Sequence, residues 1–226
     1  MAQKASPYAM RLGYNQVWNS YFFPENKQDQ VNWAIKDLSI RNYLYSLLPD
    51  IVRLETYYTK NSILIRPHLT EAEIILLLDK NNSKLETVLK GIYKIVNDEK
   101  ISVKVDLKKV KKIYAHAQSI ANLISGQLKK WIPVKQILKN VLAKVEYEPE
   151  IKGGGVEMKG ILNNTGIAQT LKRKWGKLPT STMDSNVEMG SQVAVLNRGT
   201  VSIKIILYKG KIWQKRNRNH VHTKKN

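Results

Sequence analysis

Apolar and polar positions alternate along this chain with two periods, and the changes of period mark the predicted elements. From Gln28 the period is helical: Val31, Ala34, Ile35 and Leu38 form one stripe, continued by Leu44, Leu47 and Leu48 until Pro49 stops it. Ile51 to Thr56 and Ser62 to Arg66 read as strands, and the five residues between them give hairpin spacing. Glu71 to Leu78 reads as a helix, followed by the polar stretch Asp79 to Ser83. A second helix from Lys84 to Val96 carries Leu85, Val88, Leu89, Ile92 and Ile95 on one face. Ile101, Val103 and Val105 then alternate with polar residues, the period of a half-buried strand. The predicted order is α-β-β-α-α-β.

Beyond it, Lys108 to Lys112 opens a predicted helix with Ile113, Ala117, Ile120, Ile124 and Leu128 inward. Pro133 interrupts, and Val134 to Glu146 forms a second helix on Val134, Ile137, Leu138, Val141 and Val145. Lys135 and Lys139 share the opposite face, within about 40° of each other. Gly153-Gly154-Gly155 reads as a turn, and strands follow at Val156 to Leu162, Ile167 to Lys174, Gln192 to Leu196 and Thr200 to Tyr208. The pattern divides the chain into an extended arm (1–27), an α/β unit (28–107), a second α/β unit with a helix pair and a mostly antiparallel sheet (108–209), and a basic tail (210–226). The arm has no sustained period, so it is expected to stay extended and protease-sensitive until something binds it.

Charge changes this picture most. Lys and Arg number 38 against 18 acids, a net +20 that opposes compaction unless a polyanion neutralises it. Between Lys100 and Lys144 there are eleven lysines and one acid, Asp106. Further excess lies at Lys172-Arg173-Lys174 and at both chain ends, so many point contacts to phosphate explain the whole distribution with one cause. The absence of cysteine removes thiolate metal sites and cysteine nucleophiles. Lys, Ile and Asn supply 30, 22 and 18 of 226 residues against 8 Arg, as AT-rich codons would produce. Phosphate-loop, HExxH and GxSxG patterns are absent, the histidines and carboxylates do not converge, and no cofactor is implied. The aromatics of the arm, Tyr8 to Phe23, suit either base stacking or docking on a protein surface.

Met1-Ala2-Gln3-Lys4, Pro7, Arg11-Leu12-Gly13 and Trp18-Asn19-Ser20 resemble the opening MGQK, P, RLG, W-x-S pattern of the universal third protein of the small ribosomal subunit, the S-three family. Starting on that pattern, the chain is expected to carry no transit peptide. The α-β-β-α-α-β order resembles the type II KH domain of the family, and Gly160, Ile167-Ala168, Thr170, Gly176, Pro179, Lys204 and Lys209-Gly210 resemble its second domain. The resemblance implies a structural constituent of the subunit head rather than an enzyme. It implies rRNA contacts at Lys4, Arg11, Lys108, Lys109, Lys111, Lys112, Lys172, Arg173 and Lys174, and Lys130, Lys135 and Lys139 lining the channel through which mRNA enters. Implied neighbours are the S-ten, S-fourteen, S-four and S-five proteins. With the AT-rich composition, an organelle-encoded mitochondrial ribosome is the expected setting, with a plastid or the bacterial cytoplasm as alternatives.

The sequence also departs from the family. Leu78-Asp79-Lys80-Asn81-Asn82 replaces the GxxG loop of KH domains, and Trp131, Gln136 and Asn140 stand where relatives are often basic, as do Ile161 and Gln169. The competing readings are a free KH-type RNA regulator and a nucleic-acid lyase or nuclease. The first is disfavoured by the missing glycines, and no lysine can be singled out as the Schiff-base residue a lyase needs.

Overall fold

A computed structural model describes residues 5–24, 26–78, 83–97, 101–162, 166–197 and 199–212. The chain folds as two α+β domains, each a sheet with helices packed on it and a separate apolar core.

In the first domain the elements are β1 (Ser20–Tyr21), α1 (Lys27–Leu47), β2 (Arg53–Tyr58), β3 (Ser62–Leu69), α2 (Glu71–Leu77), α3 (Ser83–Val96), β4 (Ser102–Val105) and β5 (Lys108–Lys109). The expected α-β-β-α-α-β order is therefore observed from α1 to β4. β2 and β3 pair antiparallel, with Thr56 opposite Ile65, and every second residue of each is buried. β4 and β5 both run parallel to β3. Ile40 and Leu44 of α1, Ile63, Ile65 and Leu69 of β3, and Ile92 and Val96 of α3 fill the core.

Helix α1 presents a different face from the one its aliphatic period predicts. Val31, Ile35 and Leu38 are exposed, while Asp37, Ile40 and Leu44 are buried and Trp33 packs against the core. The helix is apolar on two opposite sides, and the inward side is chosen by a polar network. Asp37 accepts hydrogen bonds from Ser20 Oγ (2.7 Å), Thr56 Oγ1 (2.8 Å), Tyr58 Oη (2.8 Å) and Arg41 Nε (2.8 Å). A buried carboxylate is tolerated only when so satisfied.

The second domain contains a 3-10 turn at Ile113–Ala115, α4 (Ala117–Lys129), α5 (Val134–Glu146), β6 (Gly153–Gly160), β7 (Gln169–Gly176), β8 (Ser185–Leu196) and β9 (Gly199–Lys211). The sheet is antiparallel throughout, in the order β7-β6-β9-β8. Ile120, Ile124 and Leu128 of α4 and Ile137, Val141 and Val145 of α5 form one core with Val201, Ile203, Ile205 and Leu207 of β9.

Three expectations are corrected here. Lys108 to Lys112 does not open a helix: Lys108–Lys109 pair with β3, and α4 starts only at Ala117. The triple glycine is strand, not turn. A Cβ on Gly154 would stand 2.5 Å from the Trp175 ring and 2.8 Å from the Ile206 carbonyl oxygen, so glycine lets β7 and its indole close over β6. β8 begins at Ser185, seven residues before the predicted start.

Residues 5–24 of the arm are also ordered rather than extended and waiting. Residues 9–11 form a 3-10 turn, and Ser20–Tyr21 join β2 in parallel. Tyr21 stacks on Tyr57 at 4.7 Å, and Phe22 meets Tyr58 edge-on. The Asp79–Asn82 loop and residues 213–226 of the basic tail lie outside the described residues.

Candidate nucleic-acid interface

Lysines reach the surface on three sides, and their neighbours decide which can bind an anion. On the helix pair, α4 ends at Lys129, Lys130 caps it, and Pro133 precedes the first turn of α5. Burial of Val134, Ile137, Leu138 and Val141 turns Lys135, Gln136, Lys139 and Asn140 outward. Lys130, Lys135 and Lys139 are exposed and have no carboxylate partner among the described residues. Lys135 and Lys139 share one face a single turn apart, so the structure brings them together as expected.

At the junction of the two domains, Lys108 and Lys111 are exposed. Lys109 instead pairs with Glu71 and Lys112 with Glu150, which raises the Lys112 ammonium and lowers the Glu150 carboxyl. Both pairs are exposed, so a phosphate can compete for them at little cost.

The uncovered side of the second sheet forms the third surface. The register places Lys172 and Lys204 on either side of Glu157. Glu157 accepts from Lys172 Nζ at 3.0 Å and lies 3.2 Å from Lys159 Nζ; the Lys172 bond chiefly holds its carboxyl below the usual range. Lys174 is exposed on the same face, while Arg173, opposite Val156, is exposed on the other face at the β7 edge.

Arg11 is corrected from a phosphate ligand to a structural clasp. The residue is fully buried. Its guanidinium donates to the carbonyls of Pro7 (2.5 Å), Pro179 (3.4 Å), Thr180 (2.9 Å), Thr182 (2.6 Å) and Ser185 (2.9 Å), and to Ser185 Oγ (2.8 Å). Arg41 holds the other end of the arm, donating to the carbonyls of Asn19 (3.0 Å) and Leu54 (3.1 Å) while pairing with Asp37. The arm is thereby fastened to both domains. Sequence reading missed Arg41 and Asp37; the only trace was an i,i+4 acid–base pair on a helix. Lys4 lies outside the described residues.

His116 has a structural partner. His116 Nδ1 lies 3.4 Å from Glu188 Oε1, which also accepts the Ala117 N–H at 3.1 Å and so caps α4. Burial opposes the Glu188 charge, but His116 and Lys209 outweigh it and draw the carboxyl down. Among the described residues no cluster of three His, Asp or Glu side chains could hold a metal.

These features define a basic two-domain α+β protein with three lysine-bearing surfaces. No family model matches the chain. It is 26% identical over 217 residues to the small ribosomal subunit protein uS3 of Spiroplasma citri, covering 95% of this chain and 84% of the relative. Against the uS3 proteins of Dictyoglomus turgidum and Pelagibacter ubique it is 28% and 27% identical, covering 94% and 95% of this chain and 85% and 93% of theirs. Over nearly its whole length, through both domains, the chain is therefore similar to small ribosomal subunit proteins uS3.

Proposed function

We propose that this chain is a structural component of the small ribosomal subunit, acting as an RNA-binding scaffold rather than an enzyme. Similarity to uS3 proteins along nearly the whole chain, through both domains, carries the reading. The net charge of +20 supports it, since a rigid cationic surface of this size needs a polyanion.

Residues 28–107 serve as a KH-like unit of type II, and 108–209 as the second domain. Lys108, Lys109, Lys111, Lys112, Lys172, Arg173 and Lys174 neutralise rRNA phosphates, with Lys4 added from the chain start. Lys130, Lys135 and Lys139 line the path of incoming mRNA in the subunit head. Lysine suits that place because its mobile point charge holds phosphate without fixed geometry and releases it readily. The outward stripe Val31, Ile35 and Leu38 supports docking against protein neighbours, for which the S-ten and S-fourteen proteins are the candidates; S-four and S-five would face the channel. The Lys-, Ile- and Asn-rich composition supports an organelle-encoded mitochondrial chain, while the bacterial relatives favour the cytoplasmic alternative.

Quantitative mass spectrometry across a sucrose gradient tests the proposal. The chain should peak with the small subunit at one copy per particle and stay there in high salt. Recovery at the top of the gradient, with subunits lacking it, overturns the proposal.

A further inference from the structure

Trp131 occupies a place that folding alone does not call for. It follows α4 in the left-handed region, φ 61°, where its N–H donates to the Leu128 carbonyl at 3.0 Å. That conformation suits glycine or asparagine and strains a bulky side chain. The indole nevertheless stands 52% exposed. It borders an apolar hollow of about 290 Å³ whose walls include Leu128, Pro133, Ile161, Leu196 and Val201. Around it, Lys129, Lys130 and Lys135 are exposed, and no acid occurs from Leu107 to Val145.

An exposed indole beside an apolar hollow wants a flat apolar partner, and the surrounding lysines want anions. Single-stranded RNA supplies both from one molecule, whereas an apolar protein surface would leave this positive ring unneutralised. We propose that Trp131 and the hollow behind it receive an unstacked nucleobase of single-stranded RNA, with the flanking phosphates on Lys130 and Lys135. The inference rests on the reading that the α4–α5 turn faces RNA. It adds a contact that depends on the base rather than on salt. Every base has a π-face, so the site grips without selecting sequence.

The test uses the full chain, a fluorescein-labelled 12-mer of uridine, and an abasic 12-mer of the same charge. Trp131→Gly removes the ring at a φ that glycine accepts, so its thermal midpoint should not fall. It should weaken uridine binding about 5- to 150-fold, the range for losing one base–aromatic stack, with the salt slope and the abasic affinity unchanged. Trp131→Phe should restore most of the loss. K130A/K135A/K139A should lower the salt slope for both probes. If Trp131→Gly binds uridine like the parent while the lysine variant is weakened, the stacking site is wrong and the RNA-facing turn stands. If neither variant changes binding, the RNA-facing turn itself falls, and this inference with it. Equal weakening of both probes by Trp131→Gly overturns the inference in favour of turn geometry. Loss of a ribosomal-protein contact with RNA binding intact overturns it in favour of a protein interface.

Discussion

Replacing Arg11 by Ala separates a clasp from a phosphate ligand. The guanidinium is the donor for five backbone carbonyls and Ser185 Oγ inside a buried site. Each buried acceptor that loses its donor costs about 1–3 kcal/mol. Water entering the vacated space recovers part of that sum, which leaves about 3–5 kcal/mol for the clasp as a whole. The loss falls on the arm: the Gly13 N–H donates to the Gln16 carbonyl, and the Gln16 N–H to that of Arg11. Native-state hydrogen exchange should show protection of these two amides falling by about two to three orders of magnitude, at roughly 1.4 kcal/mol per tenfold. Amides of β9 should keep theirs. Arg11→Lys should rescue little, because one ammonium cannot span acceptors that the planar fork reaches together. Unchanged protection at Gly13 and Gln16, with the salt slope of RNA binding reduced by about one, would refute the clasp and restore Arg11 as a phosphate ligand.

Other perturbations probe the cores and the lysine surface. Burial raises the Asp37 carboxyl, but Arg41, Ser20 and Thr56 outweigh it and leave its pKa lowered. Its contribution to stability is therefore present above the unfolded carboxyl value, about 3.9, and is lost as pH falls through the depressed folded value. Asp37→Asn should flatten the acid limb of the stability–pH curve and cost about 3–5 kcal/mol at neutral pH, since its amide would face the Arg41 donor; urea unfolding at several pH values measures both. Gly154→Ala forces a Cβ against the Trp175 ring and should cost about 1–3 kcal/mol, read as a melting temperature lower by several degrees. K130A/K135A/K139A should leave the fold intact, because these side chains lie off the apolar face, and should reduce the salt slope for single-stranded RNA by about two.

Elements whose side chains repeat with a clean period could be read from the sequence. The α-β-β-α-α-β order and helix α5 follow from residues spaced within one element, such as Val134, Ile137, Val141 and Val145. What could not be read depends on partners distant in the chain. Arg11 looks like any basic residue until Ser185, 174 positions away, supplies its acceptors. Val31, Ile35 and Leu38 outscore Trp33, Ile40 and Leu44 as an apolar stripe, and only the Asp37 network, which needs Ser20 and Thr56, turns the helix the other way. Three glycines in a row signal a turn locally, yet the Trp175 ring packed over Gly154 makes them strand. Lys130, Lys135 and Lys139 could be placed because exposure on an amphipathic helix is a local property. The conformation of Trp131 could not, since nothing in its neighbours announces a left-handed backbone.

The account stands or falls on which lysines meet RNA in the assembled particle, and lysine acetylation footprinting of purified small subunits reads this residue by residue. Lys108, Lys172 and Lys174 should be protected in empty subunits relative to the free chain. Lys130, Lys135 and Lys139 should remain reactive there and become protected only when mRNA is threaded. Equal reactivity of all six in the free chain, the empty subunit and the mRNA-loaded subunit would contradict the account.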